Sequence, residues 1–517
     1  MRGHAIGPPV VQGDQRDGRT ELVVGAQGPV QQGRAHCDAE PEGGKDHEQC
    51  ATGHRGELTP CGRLALAPMA LGPYFRKRWW EPVVLMMAAF ALFWPTLGIG
   101  LLSDDHVAVW RTGVLGQPWR TGFFRPLSDL SIAWGHALHG PGGLGYHAFN
   151  VALHGVNAWL VLLLARQWLS ALHGPVVAWM AALLFLVYPF HLESVIWVVG
   201  RESALAAFFG LLALVVLGSA WPERRRAWVS AGAFFLGALC YESALLLPVL
   251  LFPLVAARRP VAWPRFGKWV LAWGTALVLH VAVRPWKADM AAGSYGAGFF
   301  GHGPWNYVLN IPKVAGRLFL PPSAEPGDQL WRFALLLAMA LVVTITWGRR
   351  SRRSPGCMEP VEALLWSLAV TCLLAVLGGV STRTMESDRF LYMPSVFLAL
   401  LVAFAVLQFG NMVVRYVVFA AVLMVSVHFL WQGQRSWQEA YRLSAQVIAD
   451  LPAPPPNARL LVHDLPDHVN GAFVFRNGFA EALLLAGRDT AGVVLVRGAQ
   501  PVERGPGDVE WSPSIGR

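Results

Sequence analysis

Long apolar runs separated by short polar stretches fill the chain from residue 81 onward, at about 81–102, 147–166, 175–190, 203–220, 227–240, 243–257, 269–284, 330–348, 361–380, 390–409 and 413–431. An α-helix needs roughly 20 residues to cross hydrocarbon, so the pattern predicts an all-α polytopic membrane protein with about 11 transmembrane helices. The segment 126–139 is shorter and carries Asp129, His136 and His139; it reads as a helix lying at the interface. Residues 1–68, rich in Gly, Pro, Gln, Arg and His, have too little apolar periodicity to bury a core. They read as a disordered extension or a mis-assigned start, with the membrane protein beginning near Met69. After 431 the pattern changes again. An amphipathic helix from Trp437, a Pro452–Pro456 stretch, strand-like Arg459–His463, helix-like 478–487 and strand-like 492–496 predict a small α/β tail over 432–517. The organisation expected is therefore 1–68, a membrane unit over 69–431, and the tail.

Composition strengthens this reading. Of 517 residues, 54% are hydrophobic and 15% charged, against about 25% charged in an average soluble domain. The net charge of +9 would suit a nucleic-acid partner if the cations formed one patch. Instead they sit in short loops: Arg76-Lys77-Arg78, Arg224 to Arg226, and Arg349 to Arg353. Such clusters set membrane orientation, and nucleic acid is not expected. With eleven spans every dense basic loop falls on one side. That places the N-terminus in the cytoplasm and the C-terminus outside, in a protein of the bacterial inner membrane and cell envelope. Six cysteines at irregular positions outline neither a disulfide framework nor a metal motif.

The same parity gathers the remaining polar residues on the outer side. The loop 103–146 opens with Asp104 and Asp105, and adjacent carboxylates at a membrane boundary need a cation, a metal or a catalytic duty. Arg125 precedes the interfacial helix. His147, Asn150, His154 and Asn157 stand at offsets 0, 3, 7 and 10, one stripe of a helix, where they line a cavity or hydrogen-bond to other helices. His191, Glu193, Arg201 and Glu202 follow the third span. Glu242 lies between two spans with almost no loop, so it needs a partner, for which Arg201 and Arg389 are candidates. Arg383, Arg389 and Tyr392 open the tenth span and could clamp an anionic head group.

Taken in order, the paired Asp, Arg-Pro-Leu, His-x-x-Asn-x-x-x-His-x-x-Asn, Pro-x-His-x-Glu-x-Val-x-Trp-x-x-Gly-Arg, the Glu before Leu-Pro, and Asp-Arg-x-Leu-Tyr-x-Pro-Ser form a recognisable set. Over about 100–400 the chain resembles the GT-C glycosyltransferases of the membrane O-mannosyltransferase type that often carry tetratricopeptide repeats. It departs from them in having Tyr188-Pro189, Ser203 and Tyr241-Glu242 where many relatives have His-Pro, an acid and Lys-Glu. The tail shows no such repeats past its first helix. The resemblance implies a GT-C-like fold and an inverting hexosyl- or pentosyltransferase that moves a sugar from polyprenyl phosphate to a protein or glycan hydroxyl at the outer face. It also implies Asp104 or Asp105 as the base and Arg201, Arg383, Arg389 and Tyr392 at the donor phosphate. Arg125, His147, Asn150, His154, His191, Glu193, Glu202 and Glu242 would line the cavity. No cofactor is required by this chemistry, though the outer-loop acids could hold a divalent metal. The competing readings are a multi-span transporter, disfavoured by the one-sided gathering of charges, and a polysaccharide polymerase or ligase.

Overall fold

The computed structural model describes residues 69–117, 123–250, 263–284, 303–323, 325, 360–497 and 505–513. The readings made for 1–68, for the span 330–348 and for the end of 243–257 lie outside those residues. The described chain is mostly helical and is a multi-pass membrane protein. Among the described residues four helices are long and apolar enough to cross a bilayer, or five if one bent pair is counted as a single span.

The helices follow in chain order: α1 (Leu71–Arg78), α2 (Trp80–Phe93), α3 (Asp104–Ala108), α4 (Pro126–His139), α5 (Gly143–His173), α6 (Val176–Leu186), α7 (Leu192–Val195), α8 (Arg201–Leu217) and α9 (Glu223–Ala238). Then come α10 (Trp263–Val283), α11 (Pro304–Arg317), α12 (Pro360–Gly378), α13 (Tyr392–Leu407), α14 (Met412–Asp450) and α15 (Phe479–Leu485). Helix α5 is the hub, packed against α2, α6 and α8, while α13 joins α6 to α12 and α9 joins α8 to α10.

Local chemistry sets the boundaries. Pro126 occupies the first position of α4, where its missing N–H costs nothing, and Gly140 closes it with φ 69°. The expected span over 81–102 is helical only to Phe93, because Trp94-Pro95-Thr96 forms a tight turn. After α6, Tyr188 precedes Pro189 and is held at ψ 122°, as a pre-proline residue is; the chain re-enters helix at Pro189–Val195 bent by 50°. The segment 126–139 is helical, with Ser128, Asp129 and Ile132 buried and Trp134 and Leu138 exposed.

The sequence reading separated a span at 413–431 from an amphipathic helix starting at Trp437. The structure joins them in one helix of 39 residues, about 58 Å long at 1.5 Å per residue. No proline interrupts it, and the one glycine, Gly433, is there for space: a Cβ would stand 2.0 Å from Leu192 Cδ1. Beyond α14, parallel strands β1 (Leu460–Val462), β4 (Val493–Leu495) and β5 (Val509–Trp511) pair in the order β4-β1-β5, and β2 (His468–Val469) pairs antiparallel with β3 (Ala472–Phe473). The β2 and β3 strands rest on α14, and α15 rests on α3.

Candidate active site at the mouth of the bundle

The paired aspartates part ways structurally. Ser103, at φ 51°, turns the chain into α3 so that the two carboxyls point to different surroundings. Asp105 is buried, and its oxygens accept from the Val199 amide at 2.8 Å and the Leu102 amide at 3.2 Å. Burial pushes its carboxyl up to about 7, against the pull of those amides. Trp197 Nε1 donates to Leu102 O at 3.3 Å, so the loop is stitched to the 195–200 turn. Asp104 is half-buried, and its Oδ1 accepts from Asn477 Nδ2 at 2.7 Å. His106 is buried beside them and stacks on Phe475; burial lowers its pKa to about 4, leaving it neutral at pH 7.

Next to this loop, Glu193 is buried and accepts from Arg389 twice, from Nη1 at 2.5 Å and from the backbone amide at 2.9 Å. Arg389 Nε also donates to Tyr241 Oη at 3.2 Å, and its guanidinium lies over the Trp197 ring. Gly200 permits the turn, because a Cβ there would fall 1.8 Å from Glu193 O. Arg201 is buried and donates to three carbonyls: Val198 at 3.1 Å, Ser131 at 3.3 Å and Tyr146 at 3.2 Å.

Glu242 has a different partner from the two arginines considered for it. Arg125 donates to it through Nε at 3.2 Å and Nη2 at 2.8 Å, and binds Glu202 through Nη1. The reason is local: Leu127 N and Ser128 Oγ bond to the carbonyls of Leu239 and Cys240, which brings the start of α4 against the 239–242 turn. The rings of Phe123 and Tyr241 each lie 4.5 Å from the Arg125 guanidinium. A further pair escaped the sequence reading. Arg317 Nη2 donates to both oxygens of Asp388, at 2.5 and 2.7 Å. Arg383 is exposed and, among the described residues, makes no ion pair.

The polar stripe of α5 forms as its spacing predicts, and its members bond to neighbouring chain. His147 Nε2 lies 3.4 Å from Gly100 O, and Asn150 Nδ2 donates to Val195 O and Trp197 O. Asn157 donates to Ala204 O at 2.9 Å and to Tyr392 Oη at 3.1 Å. Tyr392 then has its proton for His154 Nδ1, 2.9 Å away, which leaves the His154 proton on Nε2 to bond Leu186 O at 3.1 Å. His191 Nε2 lies 2.7 Å from Ser395 Oγ. His154, His191 and Tyr392 therefore stand in the bundle interior with bonds between helices. Among the described residues no three His, Cys, Asp or Glu side chains are grouped to hold a metal ion.

No family model matches the chain. It is similar to protein O-mannosyl-transferases. Identity with the Drosophila melanogaster protein O-mannosyl-transferase Tmtc1 is 37% over 144 residues, 24% of this chain and 16% of that one. With the Homo sapiens protein O-mannosyl-transferase TMTC4 it is 34% over 205 residues, 32% of this chain and 28% of that one. The chain thus spans less than a third of the length of these curated relatives. A crystal structure of ArnT from Cupriavidus metallidurans in the apo state superposes with TM-score 0.48 at 13% identity, over 81% of this chain and 86% of that one.

Residues from the C-terminal part complete the surroundings of Asp104 and Asp105, and the sequence reading missed them. Besides the Asn477 contact, Ser103 N donates to Val474 O at 3.0 Å and Asn477 N donates to Ser103 Oγ at 3.3 Å. Arg476 Nη1 donates to Glu386 at 2.5 Å, and Gly471 sits so close that a Cβ would lie 2.4 Å from Met385 N. One stretch, 471–478, thereby touches both the Asp104 loop and the Arg383 loop. A cavity of about 290 Å³ opens beside it, lined by Asn477, Glu481, Thr490 and Arg497 with Phe479 and Leu495. A second, apolar cavity of about 310 Å³ lies between α6, α13 and α14, lined by Leu184, Pro189, Phe190, Val402, Val425 and Phe429.

Proposed function

We propose that the chain is an integral-membrane glycosyltransferase of GT-C type that moves a hexose, mannose first among candidates, from polyprenyl phosphate to a protein or glycan hydroxyl on the extracytoplasmic face. The observation that carries it is the accessible carboxylate of Asp104, held at the mouth of the bundle by the segment that also contacts the Arg383 loop. Similarity to protein O-mannosyl-transferases supports mannose as the sugar and O-glycosyl transfer as the reaction. Eleven spans with the basic clusters in the cytoplasm put these loops outside. The exposed Trp134 and Leu138 of α4 suit a helix lying on the membrane surface.

In this reading Asp104 is the base, because both oxygens of Asp105 are already occupied by amides in a buried site. Asp104 takes the proton of the acceptor hydroxyl, whose oxygen forms the new bond to C1 of the sugar. The bond from C1 to the phosphate oxygen breaks, polyprenyl phosphate departs with the electron pair, and the anomeric centre inverts. Arg383 meets the phosphate charge that builds in the transition state, with Arg389 and the buried charge of Arg201 adding to the field. The apolar cavity between α6, α13 and α14 has the chemistry to take part of the polyprenyl chain.

The test uses the full chain in lipid nanodiscs with radiolabelled polyprenyl-phosphate mannose and a serine- and threonine-containing peptide. Transfer to peptide by the wild type, and its loss in Asp104→Asn at unchanged yield and melting temperature, is the expected result. Full activity of Asp104→Asn would remove the base, and no transfer from any polyprenyl-phosphate sugar to peptide or glycan would remove the reading.

A further inference from the structure

The stretch 473–479 lies about 370 positions from Asp104 in sequence, yet it supplies the hydrogen bond to that carboxylate. Three observations show a fitted contact. Asn477 uses its side-chain amide on Asp104 Oδ1 at 2.7 Å and its backbone amide on Ser103 Oγ at 3.3 Å. Ser103, at a positive φ of 51°, returns its own amide to Val474 O at 3.0 Å. Gly478, at φ 79°, approaches so closely that a Cβ would lie 2.4 Å from Ser103 O. A side chain at 478 would force the two segments apart. Phe473 and Phe475 anchor the stretch from below, packed on Trp197 and Trp437 and on His106 respectively.

We propose that Asn477 is a positioning residue for the transfer reaction, so that the C-terminal part of the chain forms one wall of the active site. The inference rests on Asp104 being the base. Asp104 is half-buried at the start of α3, and a base must meet the acceptor proton at hydrogen-bond range. Asn477 binds Oδ1 and thereby restricts the carboxylate, while among the described residues Oδ2 accepts no bond. A neutral amide suits this duty better than a lysine or arginine, because it orients the carboxylate without drawing off its basicity as a full charge does. Asn477 also lines the 290 Å³ cavity, so a ligand entering there passes the residue that holds the base.

The experiment compares Asn477→Ala, Asn477→Gln and Gly478→Ala with wild type in the nanodisc assay, with polyprenyl-phosphate mannose and the serine- and threonine-containing peptide as probes. Asn477→Ala is expected to lower kcat about tenfold, the scale of one lost orienting hydrogen bond to a charged group, with donor KM within twofold of wild type. Asn477→Gln, which keeps the amide donor, should recover at least part of that loss, and Gly478→Ala should reproduce the fall in kcat by displacing the segment. Wild-type kcat in Asn477→Ala overturns the positioning role. So does a loss that appears in donor KM alone, or one that Asn477→Gln does not relieve. Asp104→Asn run in parallel separates the two ideas. If that variant stays active the base itself is wrong, whereas if it is dead while Asn477→Ala is normal, only the inference about Asn477 falls.

Discussion

Asp104 and Arg383 on the outer loops are treated differently from the charges packed beneath them, although the loops also hold an ion pair, Arg476 with Glu386. Below the loops, four acids have a guanidinium: Glu193 with Arg389, Asp388 with Arg317, and Glu202 and Glu242 with Arg125. On the loops, Asp104 has a neutral amide for a partner and Arg383 makes no ion pair among the described residues. A charge that has closed on a partner holds helices together, and a charge left with capacity can meet a substrate. Position at a membrane boundary does not separate the two cases; partner occupancy does. The contrast is sharpest between neighbours, because Asp105 spends both oxygens on amides while Asp104 spends one.

The comparison breaks first at Asp104. Removing a general base costs about 10²–10⁴ in rate, so Asp104→Asn should lose transfer by that factor with its melting temperature kept. The buried layer should respond in the reverse sense. Arg317→Ala leaves the Asp388 carboxylate buried without its guanidinium, at a cost of about 3–5 kcal/mol. Thermal unfolding in detergent should show the loss before any assay does, and a variant as stable as wild type would deny that the pair is structural. A smaller effect is expected at Arg383. Trading it for alanine should weaken kcat/KM for polyprenyl-phosphate mannose about tenfold, the worth of one charge-assisted contact, with stability unchanged. Equal activity of Arg383→Ala and wild type would move the donor phosphate elsewhere.

Much of this was legible in sequence for physical reasons. Apolar runs of helical length announce a membrane bundle because lipid leaves few alternatives, and the 3.6-residue period placed His147, Asn150, His154 and Asn157 on one face of α5. The sequence pattern assigns the clusters holding Glu193 and Arg389 to one membrane boundary, but it offers Arg389 to Glu242, whereas Arg389 binds Glu193. What could not be read is which distant groups meet. Arg125 finds Glu242 across 117 positions, through backbone bonds at 239–240 that leave no pattern in composition. Asn477 lies in a segment with no periodicity to flag it. Arg317 meets Asp388 across 71 positions, and neither residue sits in a pattern that marks the pairing. The continuity of α14 was hidden by the change from an apolar run ending at 431 to an amphipathic pattern from Trp437, between which Gly433 serves as room for Leu192.

The smallest effect tests whether Asp105 is as closed as its contacts say. Its carboxyl, raised by burial to about 7, binds more protons in the folded than in the unfolded state between pH 3.8 and about 7. By linkage, that group makes stability fall as pH rises through this window. His106 beside it has the opposite sign. Lowered by burial to about 4, it is protonated more fully when unfolded between pH 4 and 6.5, so it makes stability rise with pH. In the wild type these two slopes oppose each other. Asp105→Asn removes only the falling one, and melting temperature measured from pH 4.5 to 6.5 should then climb more steeply than in wild type. The change in slope is at most one proton, about 1.4 kcal/mol per pH unit. An identical slope in both proteins would mean that Asp105 titrates like a solvated carboxylate. It would then compete with Asp104 for the acceptor proton, and the contrast between the two residues would dissolve.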